Sequence, residues 1–329
     1  MQRRRVGSVL GGLALGTALP GQAQLPKLAR VGVLSSFAPS PSRPTTVRSW
    51  AAFRAELRSL GWSEGRNLVI EARFSEGQPE RDPPLAAELV ASGVDVIVAG
   101  GSQATHAVRR ATTSIPIVMH GVSHAVESGF VATLARPGGN VTGVTNQLND
   151  LQAKHLELLL AIVPDFSRVG VLWSPNNSGS ALAFADMQAT AAKRGLVLRS
   201  LPVDSPPALT GALEEAQTGK LQALHVHPTA AISSGYRQIV EWATTQRVAT
   251  ISGFEGFTRA GFLLSYGPEP VDDWRKAAGF VDRILRGAKP AELPVQQPTK
   301  FNFFINRGTA DAIGLTIPAD LLLAAELID

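Results

Sequence analysis

Short apolar runs and amphipathic stretches alternate along the chain from residue 30 onward. The run RVGVL at 30–34 reads as a strand that ends on Ser35 and Ser36. A helix is predicted over 47–60, where Trp50, Phe53 and Leu57 fall on one face before Gly61 stops it. Strands over 67–74, 94–98, 115–119 and 141–144 then alternate with helices over 84–91, 103–111 and 127–134. A second series repeats this grammar. Its helices are predicted at 150–162, 181–194, 207–217, 236–245, 271–286 and 309–315. Its strands are predicted at 169–173, 196–203, 221–226, 248–251, 261–266 and 300–306.

Apolar strands separated by helices predict parallel sheets covered on both faces. The Gly-rich turn PGGN at 137–140 divides the two series. The pattern therefore predicts an α/β protein of two doubly wound, Rossmann-like lobes. A length of 329 residues would also suit one closed eightfold barrel. The Gly-rich crossover that ends the first series, and a last helix that falls after a full second series, favour the lobes.

Residues 1–23 carry the three parts of a signal peptide. Arg3, Arg4 and Arg5 precede an apolar stretch at 6–19, and the small-x-small site GQA follows at 21–23. The stretch is shorter than the ~20 residues a membrane span needs, so cleavage and export are expected rather than anchoring. Either the general or the twin-arginine route would deliver the mature chain to the periplasm. The formal charge of +4 falls to +1 once those three arginines are removed. A nearly neutral body offers no electrostatic footprint for nucleic acid. The chain has no cysteine, which excludes disulfides, thiolate metal sites and a cysteine nucleophile.

Ligands of open α/β sheets sit beyond the carboxyl ends of the strands. Those ends are small and polar here: Ser35 and Ser36, Gly101, Ser102 and Gln103, Ser123, Ser174 and Asn176, Thr229, and Phe254 with Glu255. Any one of these is ordinary turn and capping chemistry. Six such ends on two facing edges point to a binding cleft. Serine hydroxyls and backbone N–H groups would take a carboxylate, Glu255 a ligand amine, and Trp173 or Phe254 would supply an apolar wall. Core packing accounts equally well for the two aromatics.

No catalytic motif stands out: G-x-S-x-G, the phosphate-binding loop and H-E-x-x-H are all missing. His225 and His227 share a strand face but have no third ligand nearby in sequence, so they read as strand-end residues rather than a metal site. His106, His120, His124 and His155 stand isolated in the sequence. No metal, cofactor or enzymatic activity is expected.

Several long, ordered stretches carry a family resemblance. They are LARPGGNVTG at 134–143, VGVLWSPN at 169–176, LSYG at 264–267, ILRGAKPAELP at 284–294, QPTKF at 297–301 and LTIP at 315–318. In these the chain resembles the periplasmic substrate-binding proteins of ABC transporters, in the tryptophan/tyrosine-type branch. The resemblance implies the type I periplasmic binding-protein fold, with two lobes joined by a hinge of three crossings. Lobe 1 would comprise 28–143 and 267–295, and lobe 2 would comprise 144–266 and 296–329. It also implies a monomer that binds a small solute and hands it to permease and ATPase subunits at the inner membrane. A secreted enzyme using Glu255 and His227, or a ligand-sensing receptor component, are the rival readings. Where relatives read Gly-x-x-Asp-Pro-Val, this chain has GVSHAV at 121–126, which changes charge and stiffness at a cleft edge.

Overall fold

In the computed structural model, residues 28–163 and 165–329 are described, and the first sheet draws its strands from the first half of the chain. The order is β1 (Ala29–Ser35), α1 (Pro44–Ser59), β2 (Leu68–Phe74), α2 (Asp82–Ala91), β3 (Val96–Gly100), α3 (Gly101–Ala111), β4 (Ile117–Val122) and β5 (Val141–Thr145). These five strands pair in parallel in the order β2-β1-β3-β4-β5.

The second body continues with α4 (Gln152–Ile162), β6 (Arg168–Trp173), α5 (Ser178–Lys193), β7 (Val197–Pro202), α6 (Ala208–Thr218) and β8 (Ala223–Val226). Then come α7 (Ala230–Ser234), α8 (Tyr236–Gln246), β9 (Ala249–Ser252), α9 (Glu255–Arg259) and β10 (Leu264–Pro268). The chain ends with α10 (Pro270–Leu285), β11 (Phe301–Asn306), α11 (Arg307–Ile313), α12 (Ala319–Ala324) and β12 (Glu326–Ile328). Seven strands form this sheet in the order β12-β11-β10-β9-β8-β6-β7. The expected two-lobed α/β architecture is therefore observed, and a closed barrel is not.

Side-chain alternation explains why each sheet is buried on both faces. On β3, Val96 and Val98 pack with Phe53, Leu57, Trp274 and Phe280, whereas Ile97 and Ala99 pack with Leu89 and Val108. On β6, Val169 and Val171 join Leu156 and Leu159, whereas Leu172 joins Leu209 and Leu213. The first strands of the two lobes share the pentapeptide RVGVL, at 30–34 and 168–172. One local solution thus opens both sheets.

The chain passes between the lobes three times. It leaves the first sheet after β5, returns after β10 so that α10 packs on α1, β3, β4 and β5, and crosses again before β11. At the last crossing Gln296 donates to the Gly143 carbonyl at 2.9 Å and accepts from the Thr145 N–H at 2.9 Å. Two glycines that close family-like stretches sit on these crossings, with no room for a side chain. A Cβ at Gly143 would lie 2.0 Å from the Met119 carbonyl oxygen, and one at Gly267 1.9 Å from that of Gly253.

Three features depart from the sequence expectation. The helix expected over 127–134 is a single turn, stopped where Gly129 adopts φ +71°. There the Phe130 N–H bonds the Ala125 carbonyl and the Gly129 N–H that of Val126, the pattern of a Schellman stop. The second sheet is not wholly parallel, because β11 runs antiparallel to β10 with Phe301 opposite Pro268. The chain left through Pro268 and returns through Phe301 from the same side, so opposite directions follow. Finally α7, α9, α12 and β12, three to six residues each, are too short to show a hydrophobic period. The expected leader, residues 1–23, lies outside the described residues. Among the described residues no helix is long and apolar enough to cross a membrane.

A Gly267→Ala substitution is expected to cost about 3 kcal/mol, because backbone rather than a flexible side chain must give way. Gly139→Ala, where a Cβ would meet nothing within 4 Å, should stay within about 0.5 kcal/mol of the parent. Urea unfolding of the two variants measures the contrast, and equal midpoints would contradict the packing described.

Candidate functional site

The carboxyl ends of both sheets face one another across a partly open cavity of about 70 Å³. A water molecule needs about 10–15 Å³ on such a measure, so there is space for a compact solute. From the first lobe the lining comprises Ser36 after β1, Gly100 to Gln103 at the start of α3, and Gly121 and Ser123 near the end of β4, while Asn146 and Leu148 line it from the crossing that follows β5. From the second it comprises Asn177 before α5, the segment from His227 to Ala230 after β8, and Phe254 after β9.

Of the residues singled out from the sequence, Ser36, Gly101, Ser102, Gln103, Ser123, Thr229 and Phe254 come together here. Five others do not. Ser35 is paired opposite Phe74 within the first sheet and lies outside the lining. The Trp173 ring stacks on Phe184 at 4.1 Å and donates to Ser200 Oγ at 2.8 Å, so it is a packing residue. Ser174 Oγ and the Asn176 N–H both bond Asp204 Oδ1 at 3.3 Å, and neither residue is in the lining. The lining residue is instead the next one, Asn177, whose side chain caps α5 by accepting from the Ser180 N–H. Glu255 is 6% exposed yet turned aside, held by Arg259 and by Arg48 at 3.0 Å. Burial raises its pKa, but the hydrogen bonds from these two guanidiniums prevail and keep it below its ordinary value.

Asn146, Leu148 and Asn177 also line the cavity, as does His227, which the sequence marks only as a strand-end residue. Applying the strand-end rule to β5 reaches Asn146 and Leu148, and the Asn177-x-x-Ser180 cap signals Asn177.

The lobes also touch around the cavity. His106 Nε2 lies 3.1 Å from Ser178 Oγ, and Ser128 Oγ lies 3.0 Å from the same oxygen. His124 Nε2 is 3.5 Å from Asp186, and Arg48 reaches Glu255 as described. Lobe 1 supplies one member of each pair and lobe 2 the other. This is a closed arrangement.

Within the second lobe the histidines are not isolated. His155 Nδ1 meets His225 Nε2 at 2.9 Å, and His155 Nε2 meets the Tyr266 carbonyl at 2.7 Å. His227 lines the cavity with neither ring nitrogen bonded, and Thr229 Oγ1 is likewise unpartnered. Among the described residues no group of three or more His, Asp or Glu is placed to hold a metal.

A family profile described as "ABC transporter substrate binding protein" matches residues 40–328. The chain belongs to that family. This substrate-binding protein is 24% identical over 272 residues to a tyrosine-binding protein of Clostridioides difficile (strain R20291), covering 83% of this chain and 78% of that one. It is similar to a solved conserved domain protein of Vibrio cholerae O1 biovar El Tor, with 24% identity, TM-score 0.86, and coverage of 92% of this chain and all of the other. It is also similar to the solved ABC domain of Streptococcus pneumoniae in complex with L-Trp, at 25% identity and TM-score 0.83, over 92% and 99% of the two chains. The type I periplasmic binding-protein fold expected from the resemblance is the fold observed. Family and relatives are binding proteins rather than enzymes.

Burial governs how stability should respond to acid. It lowers His120 and His155 to about 4, His227 to about 3, and His225 well below 6.5. An unfolded imidazole takes its proton near 6.5, so acidification below that value favours the unfolded chain. The four groups give stability that is complete above pH 6.5 and lost as pH falls toward 4. Burial raises Asp82 to about 6 and Asp273 to about 8, and these act in the opposite sense, losing their contribution as pH rises through those values. Four outweigh two. Calorimetry should find the melting temperature falling between pH 6.5 and 4.5; an unchanged or rising value would refute the neutral histidine cluster.

Proposed function

We propose that this substrate-binding protein captures a small organic solute, an amino acid or another carboxylate-bearing molecule, and delivers it to an inner-membrane permease and its ATPase. The observation that carries this reading is the cavity itself, which is lined from both lobes and contains buried polar groups without partners. A solute that touches both lobes at once stabilises the closed state, whereas one that touches a single lobe gains nothing from closure. The tyrosine and L-Trp named for two similar proteins support an amino acid or a molecule of that kind. The signal-like residues 1–23 support a periplasmic location, and a monomer suffices because one chain supplies both jaws.

In this reading the division into 28–143 plus 267–295 and 144–266 plus 296–329 marks two rigid bodies, and the three crossings bend between them. Ser36, Ser102, Gln103, Ser123, Thr229 and Phe254 contact the solute. Ser35, Trp173, Ser174, Asn176 and Glu255 act only by shaping the walls.

A thermal-shift screen of amino acids, aromatic acids and short carboxylates identifies the solute, since a ligand at 100 times its Kd adds about 2.7 kcal/mol of stability. For the best hit, Gln103→Ala combined with Thr229→Val should weaken binding at least about tenfold. Glu255→Gln and Asn176→Ala should change Kd less than about threefold. Unchanged affinity in the double variant would reject this cavity as the solute site.

A further inference from the structure

The charge around the cavity is one-sided. Among the described residues no Asp, Glu, Lys or Arg lines it. The acids beside it are already engaged: Glu255 with Arg48 and Arg259, Asp204 with Ser174 and Asn176, and Asp186 with His124. A buried ammonium group would therefore meet no counter-charge and would be costly to bring out of water.

Negative charge is served far better. The eleven-residue helix α3 begins at the cavity, and its cap Gly100 has no side chain to satisfy the first N–H groups, those of Gly101, Ser102 and Gln103. Opposite stands the start of the sixteen-residue helix α5, reached through Asn177. Both present the positive end of a helix dipole. Two further donors wait between them. His227 is 7% exposed and Thr229 5% exposed, both line the cavity, and neither ring nitrogen of His227 nor Thr229 Oγ1 has a partner. His227 held neutral keeps one N–H to donate, and the Thr229 hydroxyl supplies another.

We infer that the solute is an organic carboxylate that carries no ammonium group, so that the cavity rejects zwitterionic amino acids in favour of their deaminated counterparts. Phe254 and Leu148 provide the apolar contact for its hydrocarbon part. This specificity rests on the reading of the cavity as the solute site.

Matched pairs that differ only in the ammonium test the inference on the unaltered protein. Titration calorimetry would compare indole-3-propionate with L-tryptophan, 3-phenylpropionate with L-phenylalanine, and 4-methylpentanoate with L-leucine. At least one acid should bind, and in every pair that binds the deaminated acid should bind at least about tenfold more tightly. Its primary amide, which lacks the negative charge, should lose at least about tenfold. Gln103→Glu, which adds an acid at the start of α3, should weaken the acid by a similar factor, with its fold checked by circular dichroism. An amino acid that binds as well as or better than its partner overturns the inference while leaving solute capture intact. No binding by any acid also overturns it, and silence from all six compounds overturns the reading of the cavity as well.

Discussion

At two of the crossings between the lobes, the chain leaves its sheet where backbone lies directly on backbone. Gly143 sits against Met119 and Gly267 against Gly253 with no space for even a methyl group, and Gln296 ties into the same place by two hydrogen bonds. Three separate passages of chain are thereby gathered at one side of the cleft. Everything functional follows from that gathering. Because both sheets end toward the same gap, the loops after β1, β3, β4 and β5 confront those after β6, β8 and β9. The cavity is a by-product of where the strands stop.

What fills the gap chemically is mostly main chain and small polar side chains. Formal charges are kept out of the lining, but they are not absent from the neighbourhood. Arg48 with Glu255, and His124 with Asp186, bridge the lobes beside the lining. The division is physically economical, since paired charges at a partly wet edge cost little, whereas unpaired ones in the cavity would cost much. The lining is left with helix ends, hydroxyls, amides and one imidazole.

Much of this could be read from the order of residues. Long elements announced themselves because their cores demand a period: β3 alternates its valines and isoleucine between two faces, and α1 spaces Trp50, Phe53 and Leu57 on one. The strand-end rule found seven lining residues for the same reason, as position along a strand fixes which end meets the cleft. It failed where a loop has a hydrogen-bonding life of its own. Asp204 bonds Ser174 and Asn176, the lining residue is Asn177, and nothing near residue 174 in sequence hints at a partner thirty positions later. Glu255 likewise stands outside the lining because its two arginines lie one on its own helix and one 207 residues away. Trp173 was drawn to Phe184 by an aromatic stack that only the packed α5 reveals. Long-range pairing of charges and rings is what a linear pattern does not record.

The return of α10 to the first lobe has a consequence for how the protein is made. This helix brings Trp274, Phe280 and Val281 onto the face formed by Val31, Val33, Val96, Val98 and Val118. A ribosome must therefore add the whole body of the second lobe before the first can cover its valines. Neither lobe is an uninterrupted length of chain, so neither can mature alone during synthesis, and the nascent polypeptide stays sticky until nearly its last segment emerges.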